Sequence, residues 1–454
     1  MSHAISSEAR PTRVRFGVLA ATTAASIILY VHRAFVSEIL KFEQVRSDLE
    51  LTPADDKRIH FAFFFSYALL QVPLGSLSDR FGRRLMLTID IVLWSIVTAM
   101  VGIASSAGML LVLRLILGIA QAGAYPAAGG LIGRWFPLSH RAKAISIVTS
   151  GGRIGGIITP LLTSLLIAQA GMAWQTVILL YGFVGVAIGV WYWIVVRDEP
   201  VDHPSCNQEE KDLIAYGRVA VDPNTIMTPV KPPIWALLTS RSIWCMAISQ
   251  FGTNIGWAFI ITTMPRYFTQ AREASNVAGG GMTSMIWALG AIGMLLGGGL
   301  TDRMTRRFGM RWGRIGTMIA TRFISAAFLL VAMKTDDVWQ CAYMLAAMSF
   351  FCDLGIPAAW AFAQDVGGRS VGAVLGFSNM VGNLGAAVAA TCYEYSDIWL
   401  KTEKSMNGTL YCAMVGFLVA GVSALGIDAS KPLVPEESDM PAEIPKDKDD
   451  YEEA

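Results

Sequence analysis

Three arginines, Arg33, Arg114 and Arg153, stand inside apolar stretches of this 454-residue chain. Placing a permanent guanidinium mid-bilayer costs about 2.5–3.5 kcal/mol even on a lenient insertion scale, so such a charge defaults to function. Arginine holds a carboxylate through paired, charge-assisted hydrogen bonds. Arg33 and Arg153 fall in the first and fifth apolar runs, which both line the central cavity in an inverted-repeat carrier. Two guanidiniums facing one cavity would bind and orient a small organic acid. The plainer alternative is that each arginine satisfies a neighbouring carbonyl or snorkels to the interface, and for Arg114, near a run's end, the two readings weigh equally. Asp90 is alone in its run, where pairing with Arg114 is expected. Tyr30 and Tyr67, with Gln250, Asn254, Trp360, Asn379 and Asn383 from the second half, would give the site shape and polar selectivity, although Trp360 and Asn383 fit helix packing as well. The sequence has no nucleophile–base pair, metal cluster or nucleotide loop, so neither an enzyme nor a metal or cofactor is expected.

The elements that position these groups are membrane helices. The chain is 54% hydrophobic and 16% charged, with mean hydropathy +0.48, whereas soluble proteins are about a quarter charged. Apolar runs of bilayer-spanning length recur about twelve times, at 16–40, 59–77, 85–104, 109–132, 144–169 and 173–196, then 242–268, 279–300, 313–332, 338–364, 371–393 and 407–427. They do not alternate as the strands of a membrane barrel do. The fold class is an all-α polytopic membrane protein in two pseudo-symmetric six-helix bundles, 16–196 and 242–428. A cytoplasmic segment 1–15 precedes them, a polar linker 197–241 joins them, and a disordered acidic tail 429–454 follows. The first helix lacks a clear cleavage site and is read as retained. Lys and Arg cluster in the amino-terminal segment and in the joints after the second, fourth, sixth and eighth runs, which places both termini in the cytoplasm. The six cysteines lack CxxC pairing and read as packing residues. The lipid bilayer is the expected surrounding, nucleic acid is not an expected partner, and a monomer is expected.

Gly75-Ser76-Leu77-Ser78-Asp79-Arg80-Phe81-Gly82-Arg83-Arg84 is a charged hinge between two apolar runs, and Gly298-Gly299-Leu300-Thr301-Asp302-Arg303 repeats it about half the chain later, the mark of an internal duplication. The decade resembles the signature loop of the major facilitator superfamily. Gly75, Asp79, Arg80 and Arg84, with Asp302 and Arg303, read as gating residues: Asp79 would meet the amino end of a helix of the other half and release it as the halves rock. A topology-setting basic loop is the coexisting reading.

Further stretches resemble the anion:cation symporter family, which includes D-galactonate and hexuronate transporters, sialin and the vesicular glutamate transporters. They are 65–75, Arg114 with Leu117-Gly118, Tyr125-Pro126, Trp135-Phe136-Pro137, Trp360-Ala361, Asp365-Val366, Asn379, Gly382-Asn383 and Gly385. The resemblance implies carboxylate binding by the arginine of a Tyr-x-Asp-Arg sequence, here Tyr30-Val31-His32-Arg33. It also implies a coupling glutamate seven residues after an arginine, and here Gln121 follows Arg114. Both family acids are therefore replaced. Glutamine does not titrate, and histidine, which titrates at about pH 6.5, gains rather than loses charge; His32, Arg114 and Gln121 are the coupling candidates. Arg153 adds a positive charge where the family is usually neutral, which suits a substrate with a second acidic group. The expectation is a secondary transporter for a small organic anion such as a sugar acid, coupled to a proton or another cation, in a plasma membrane or bacterial inner membrane. The alternatives are a proton-independent uniporter or exchanger, a drug or cation exporter, disfavoured by Arg153 and by a Pro160 set apart from its glycines, and a non-transporting nutrient sensor.

Overall fold

The computed structural model describes residues 10–215, 234–367, 371–430 and 433. The start of the amino-terminal segment, the middle of the linker and most of the acidic tail lie outside the described residues. The first six spans are α1 (Val14–Ile39), α2 (Pro53–Phe81), α3 (Arg83–Val101), α4 (Ala107–Ala122 resumed at Ala124–Trp135), α5 (Leu138–Ser164 with a π turn, Leu165–Gln169) and α6 (Trp174–Val195). In the second half α7 is Arg241–Ala258 prolonged through Phe259–Thr263, Met264–Arg266 and Tyr267–Ala271. The stretch Asn276–Met333 is two spans, α8 and α9, parted at Gly309, and it is followed by α10 (Val338–Leu354 resumed at Ile356–Gly367), α11 (Val371–Leu400) and α12 (Asn407–Ala424). Nine helices among the described residues are long and apolar enough to cross a membrane. The longest of these is two spans, and α2 and α7, with charged or broken ends, complete twelve. The protein is an all-helical, polytopic integral membrane protein.

The duplicated hinge is visible in the backbone. Gly82 (φ 95°) separates α2 from α3, and Gly309 (φ 78°) separates α8 from α9, a conformation that side chains with a Cβ resist. Several limits differ from expectation, among them the start of α5, at Leu138 rather than Ala144, and the end of α11, at Leu400 rather than Tyr393. α2 starts at Pro53 rather than Ile59, because the Thr52 N–H donates to Asp55 Oδ2 at 2.9 Å in a capping box and proline is suited to the first helical position. α7 is not one continuous α-helix: π turns flank Pro265, whose missing N–H disrupts regular pairing.

Within the halves α1 packs on α5, α2 on α4, α3 on α6 and α7 on α11, and across them α5 packs on α8 and α2 on α11. Large apolar side chains such as Phe183 (72% exposed), Leu295 (66%) and Ile194 (64%) cover the outer surface, as lipid contact requires.

The start of α1 is held from the linker. Its N-cap residue, Arg13, offers no side-chain cap, which leaves helix N–H groups in need of acceptors. Glu210, on the short helix Gln208–Ala215, supplies them: it accepts from Val14 N at 3.0 Å, Arg15 N at 3.2 Å, Arg15 Nη1 at 2.7 Å and Thr12 Oγ1 at 2.5 Å. Burial pushes the Glu210 carboxyl up, but the hydrogen bonds from Thr12, Arg15 and Val14 outweigh it and hold the group below its ordinary value of 4.5. The resulting stabilisation is complete above that ordinary value and is lost as pH falls through the lower folded one. Glu210→Gln is expected to cost about 1.5–3 kcal/mol locally. Amide exchange at residues 12–15 should quicken at neutral pH, with the difference from wild type vanishing in acid.

Candidate functional site

α1 and α2 build one wall of the site. Tyr30 on α1 and Phe63 and Tyr67 on α2 surround the Arg33 guanidinium, whose Cζ lies 4.9, 5.2 and 4.5 Å from their ring centroids. Positions 63 and 67 are one helical turn apart, so their rings stack at 5.8 Å. Arg33 is 4% exposed; its Nε donates to Gln121 Oε1 at 3.2 Å and its Nη2 has no hydrogen-bond partner. Among the described residues no carboxylate forms an ion pair with it. Ring faces return about 0.5–2 kcal/mol to a cation, less than the several kcal/mol lost on desolvating one. The cage therefore retains a demand for an anion.

Gln121, fully buried on α4, uses both ends of its amide. Oε1 accepts from Arg33, and Nε2 donates to the Leu29 carbonyl at 3.1 Å. Arg114, also on α4 and 1% exposed, places its Cζ 4.4 Å from the centroid of the Phe63 ring that faces Arg33, and its Nε and Nη1 lack partners. The expected pair with Asp90 does not form. Arg114 is directed at α2, whereas Asp90 lies against Gly123, where a Cβ would come within 3.0 Å of its Oδ2.

The facing wall is aromatic and ionic. Arg153 on α5 donates from Nη2 to Asp353 Oδ1 on α10 at 2.9 Å, an ion pair that crosses between the halves. Its Cζ lies 5.8 Å from the Trp257 ring and 5.5 Å from the Trp287 ring. Trp287 meets Tyr30 edge-on at 6.0 Å, which joins the two arginine environments. Glycine at 152 and 156 makes room: a Cβ there would stand 2.6 Å from the Tyr30 ring and 2.5 Å from the Trp287 ring, respectively. Expected as a free cation, Arg153 is instead paired, because the fold brings in an acid from a distant span.

The amides of the second half gather on α7 and α11. Asn379 Nδ2 donates to Gln71 Oε1 at 2.8 Å across the halves, and Asn383 Nδ2 to the Asn379 carbonyl at 2.8 Å. Gly382 admits the α7 side chains: a Cβ there would lie 2.9 Å from Asn254 Nδ2 and 3.2 Å from Gln250 Cβ. Trp360, past the Gly355 break in α10, keeps 37% of its surface exposed.

His32 is fully buried and faces away from the cage, with Nε2 2.9 Å from the Tyr181 carbonyl of α6 and its ring against Gly185. Consecutive helical residues diverge by about 100°, so neighbours in sequence meet different walls.

At the face bearing both termini, the gating candidates show contacts within their own halves. The Arg84 N–H donates to Asp198 Oδ1 at 2.9 Å, and its guanidinium covers the Trp193 ring at 3.7 Å. Arg80 is exposed beside Phe81, Gly75 packs towards Pro126, Asp302 meets Arg314 at 3.5 Å, and Arg303 is exposed. The side chain of Asp79 lies outside the described residues. The opposite face is joined across the halves: Asp56 of α2 pairs with Arg46 and with Arg266 of α7, and Lys57 with Glu394 of α11 at 2.5 Å. Buried Lys41 holds Glu38 at 2.8 Å and Ser164 at 2.7 Å.

Sequence reasoning passed over Asp353, Phe63, Trp257 and Trp287. An acid inside an apolar run is the signal that would have found Asp353; the rings carry no comparable signal. Among the described residues no group of three His, Cys, Asp or Glu is placed to hold a metal.

Comparison with known proteins bears on this arrangement. A family model described as Major Facilitator Superfamily matches residues 16–390. The "Probable galactarate/D-glucarate transporter" of Escherichia coli (strain K12) is 29% identical over 440 residues, covering 94% of this chain and 96% of that one. The "D-galactonate transporter" of Escherichia coli O6:H1 (strain CFT073) is 28% identical, covering 85% and 90%, and the "Probable sulfoacetate transporter" of Cupriavidus necator is 27% identical, covering 84% and 87%. A crystal structure of a bacterial homolog to the human lysosomal transporter Spinster shares the fold, with a TM-score of 0.70 at 16% identity over 92% of this chain and 98% of that one.

Proposed function

Because this chain belongs to the Major Facilitator Superfamily, we propose that it is a secondary transporter for a small organic anion, a sugar acid or similar carboxylate. The observation that carries this reading is the caged Arg33, a buried guanidinium with a free Nη2 and no ion-pair partner among the described residues. A carboxylate entering there supplies the missing acceptors and countercharge together. Relatives named for galactarate, D-glucarate, D-galactonate and sulfoacetate point to the same substrate class.

Movement is by alternating access, the bundles 16–196 and 242–428 rocking about the site. The ion pairs of Asp56 with Arg266 and Lys57 with Glu394 support this, since they close one face between the halves and must part for it to open. The transporter is a cation-coupled monomer with both termini cytoplasmic, in a plasma membrane or bacterial inner membrane. Proton-independent uniport or exchange is the second reading, favoured by the non-titrating amide of Gln121 beside Arg33.

Purified protein in proteoliposomes is the test, with labelled D-glucarate, D-galactonate and sulfoacetate against galactose and choline. Saturable uptake of acids that compete with one another, with neither control carried, is expected. Failure to carry any of the acids, or equal transport of galactose or choline, would sink the proposal.

A further inference from the structure

A proton-driven carrier needs a group that exchanges a proton for a partner during the cycle. Gln121 has nothing to titrate, and His32 is turned onto the Tyr181 carbonyl, away from Arg33. Resting on the organic-anion reading above, the geometry points to Asp353 as the proton-carrying acid of this transporter, its pair with Arg153 standing in for a second acidic group of the substrate.

Other buried acids in the spans do not fit this role. Glu38 pairs with Lys41, Asp90 lies against Gly123, and Asp397 accepts from Thr402 and Thr409, each within its own half. Asp56 does cross to the other half, but in the opening turn of α2 at the closed face, about two helical turns before Phe63 of the cage, and it pairs with Arg46 and Arg266 rather than with a cage residue. Asp353 crosses beside the aromatic wall of the site, with side-chain exposure of 3% against 9% for Arg153.

The groups facing the pair are few. Arg153 approaches from α5, with Trp257 of α7 and Trp287 of α8 at its guanidinium. Arg322 of α9 donates from Nη1 to the Cys352 carbonyl at 2.6 Å, with Nε and Nη2 unpartnered, and it acts electrostatically on Asp353. Cys352 neighbours Asp353 on α10, and Tyr30 of α1 and Tyr125 of α4 act on Arg153 from the cage side. Gly290 of α8 lies so close that a Cβ would stand 2.7 Å from Asp353 Oδ2. One acid thus lies among two guanidiniums, and its ionisation decides whether Arg153 is occupied.

The step balances with one proton. A proton from the aqueous side forms an O–H bond on the Asp353 carboxylate and removes its negative charge, which releases Arg153 without breaking any other covalent bond. Arg153 then takes one carboxylate of the incoming anion while Arg33 takes the other; the Tyr30–Trp287 contact lies between their environments. On release of the anion Arg153 draws Asp353 back, and the proton leaves. Each anion therefore moves with the proton that vacated its place.

The test is D-glucarate transport by the full chain in proteoliposomes, read as accumulation driven by a pH gradient, substrate-linked proton entry, and counterflow from preloaded vesicles without a gradient. Asp353→Asn is expected to lower gradient-driven accumulation by about tenfold or more and to abolish proton entry, with counterflow retained within about threefold. A structural role would lower all three together, and that result overturns the inference, as does accumulation that survives the substitution. Where Asp353→Asn alone leaves an unpaired guanidinium and fails to fold, the Arg153→Gln/Asp353→Asn double variant removes both charges and is expected to lose proton entry while still exchanging D-galactonate. Wild type that carries D-glucarate without protons sinks this inference alone. Wild type that carries no acid at all sinks the functional reading with it.

Discussion

Arg33→Ala eliminates saturable uptake of the acids this protein carries, weakening apparent affinity by about 100-fold or more, and does so without lowering the melting temperature of the detergent-solubilised protein. Truncating one member of a buried, hydrogen-bonded charge contact costs about 2–5 kcal/mol, and each 1.4 kcal/mol is about tenfold in affinity. The stability half of the expectation has a separate basis. With no carboxylate paired to it and Nη2 unsatisfied, Arg33 burdens the substrate-free fold with a desolvated charge. Three ring faces and one hydrogen bond to Gln121 offset only part of that.

Arg33→Lys separates charge from geometry. Lysine keeps the positive charge but is a point donor without the planar fork. Uptake should survive with affinity weakened by about tenfold. Counterflow KM and thermal unfolding measure both effects. An alanine variant that transports normally, or whose activity loss tracks a fall in melting temperature, would show Arg33 to be a packing element.

How far this arrangement can be read from the chain depends on the range of the interactions. The cage is local: residues 30 and 33 share one helix, and 63 and 67 lie one turn apart on the next. Helical phase also divides the aromatic run of α2, with Phe63 buried while Phe61 and Phe65 are 38% and 37% exposed; a plain list of aromatics does not make that division. Gly82, whose positive φ suits glycine, lies within the charged hinge legible in the sequence, whereas Gly309, which parts α8 from α9, lies beyond the repeated stretch 298–303. The partner of Arg153 was not legible, since Asp353 is 200 residues away in the other half and only the packing of α5, α8 and α10 brings them together. His32 shows the reverse error, in which sequence adjacency to Arg33 suggests a shared environment that the turn of the helix removes. The π turns of α7 depend on where Pro265 interrupts hydrogen bonding in a packed helix, which apolar run length does not report.

Gln121→Glu is expected to impose a new pH dependence on the Arg33 site. The amide donates from Nε2 to the Leu29 carbonyl and accepts at Oε1 from Arg33. A carboxylate can only accept. When ionised, it presents an oxygen to the Leu29 carbonyl and supplies Arg33 with an internal counterion that competes with substrate. Protonated, the new side chain can donate to Leu29 again and leaves Arg33 uncompensated, as the amide does. Substrate therefore binds the protonated variant, and affinity is lost as pH rises through the pKa of the new acid. At the steepest, the ratio of variant to wild-type KM in counterflow grows by about tenfold per pH unit, one proton being taken up per anion bound. Taking the ratio removes any pH dependence the wild type owes to other groups. A ratio flat from about pH 5.5 to 8 would mean that the side chain at 121 does not govern the charge available to the anion, and Arg33 would then lose its place as the primary carboxylate receptor.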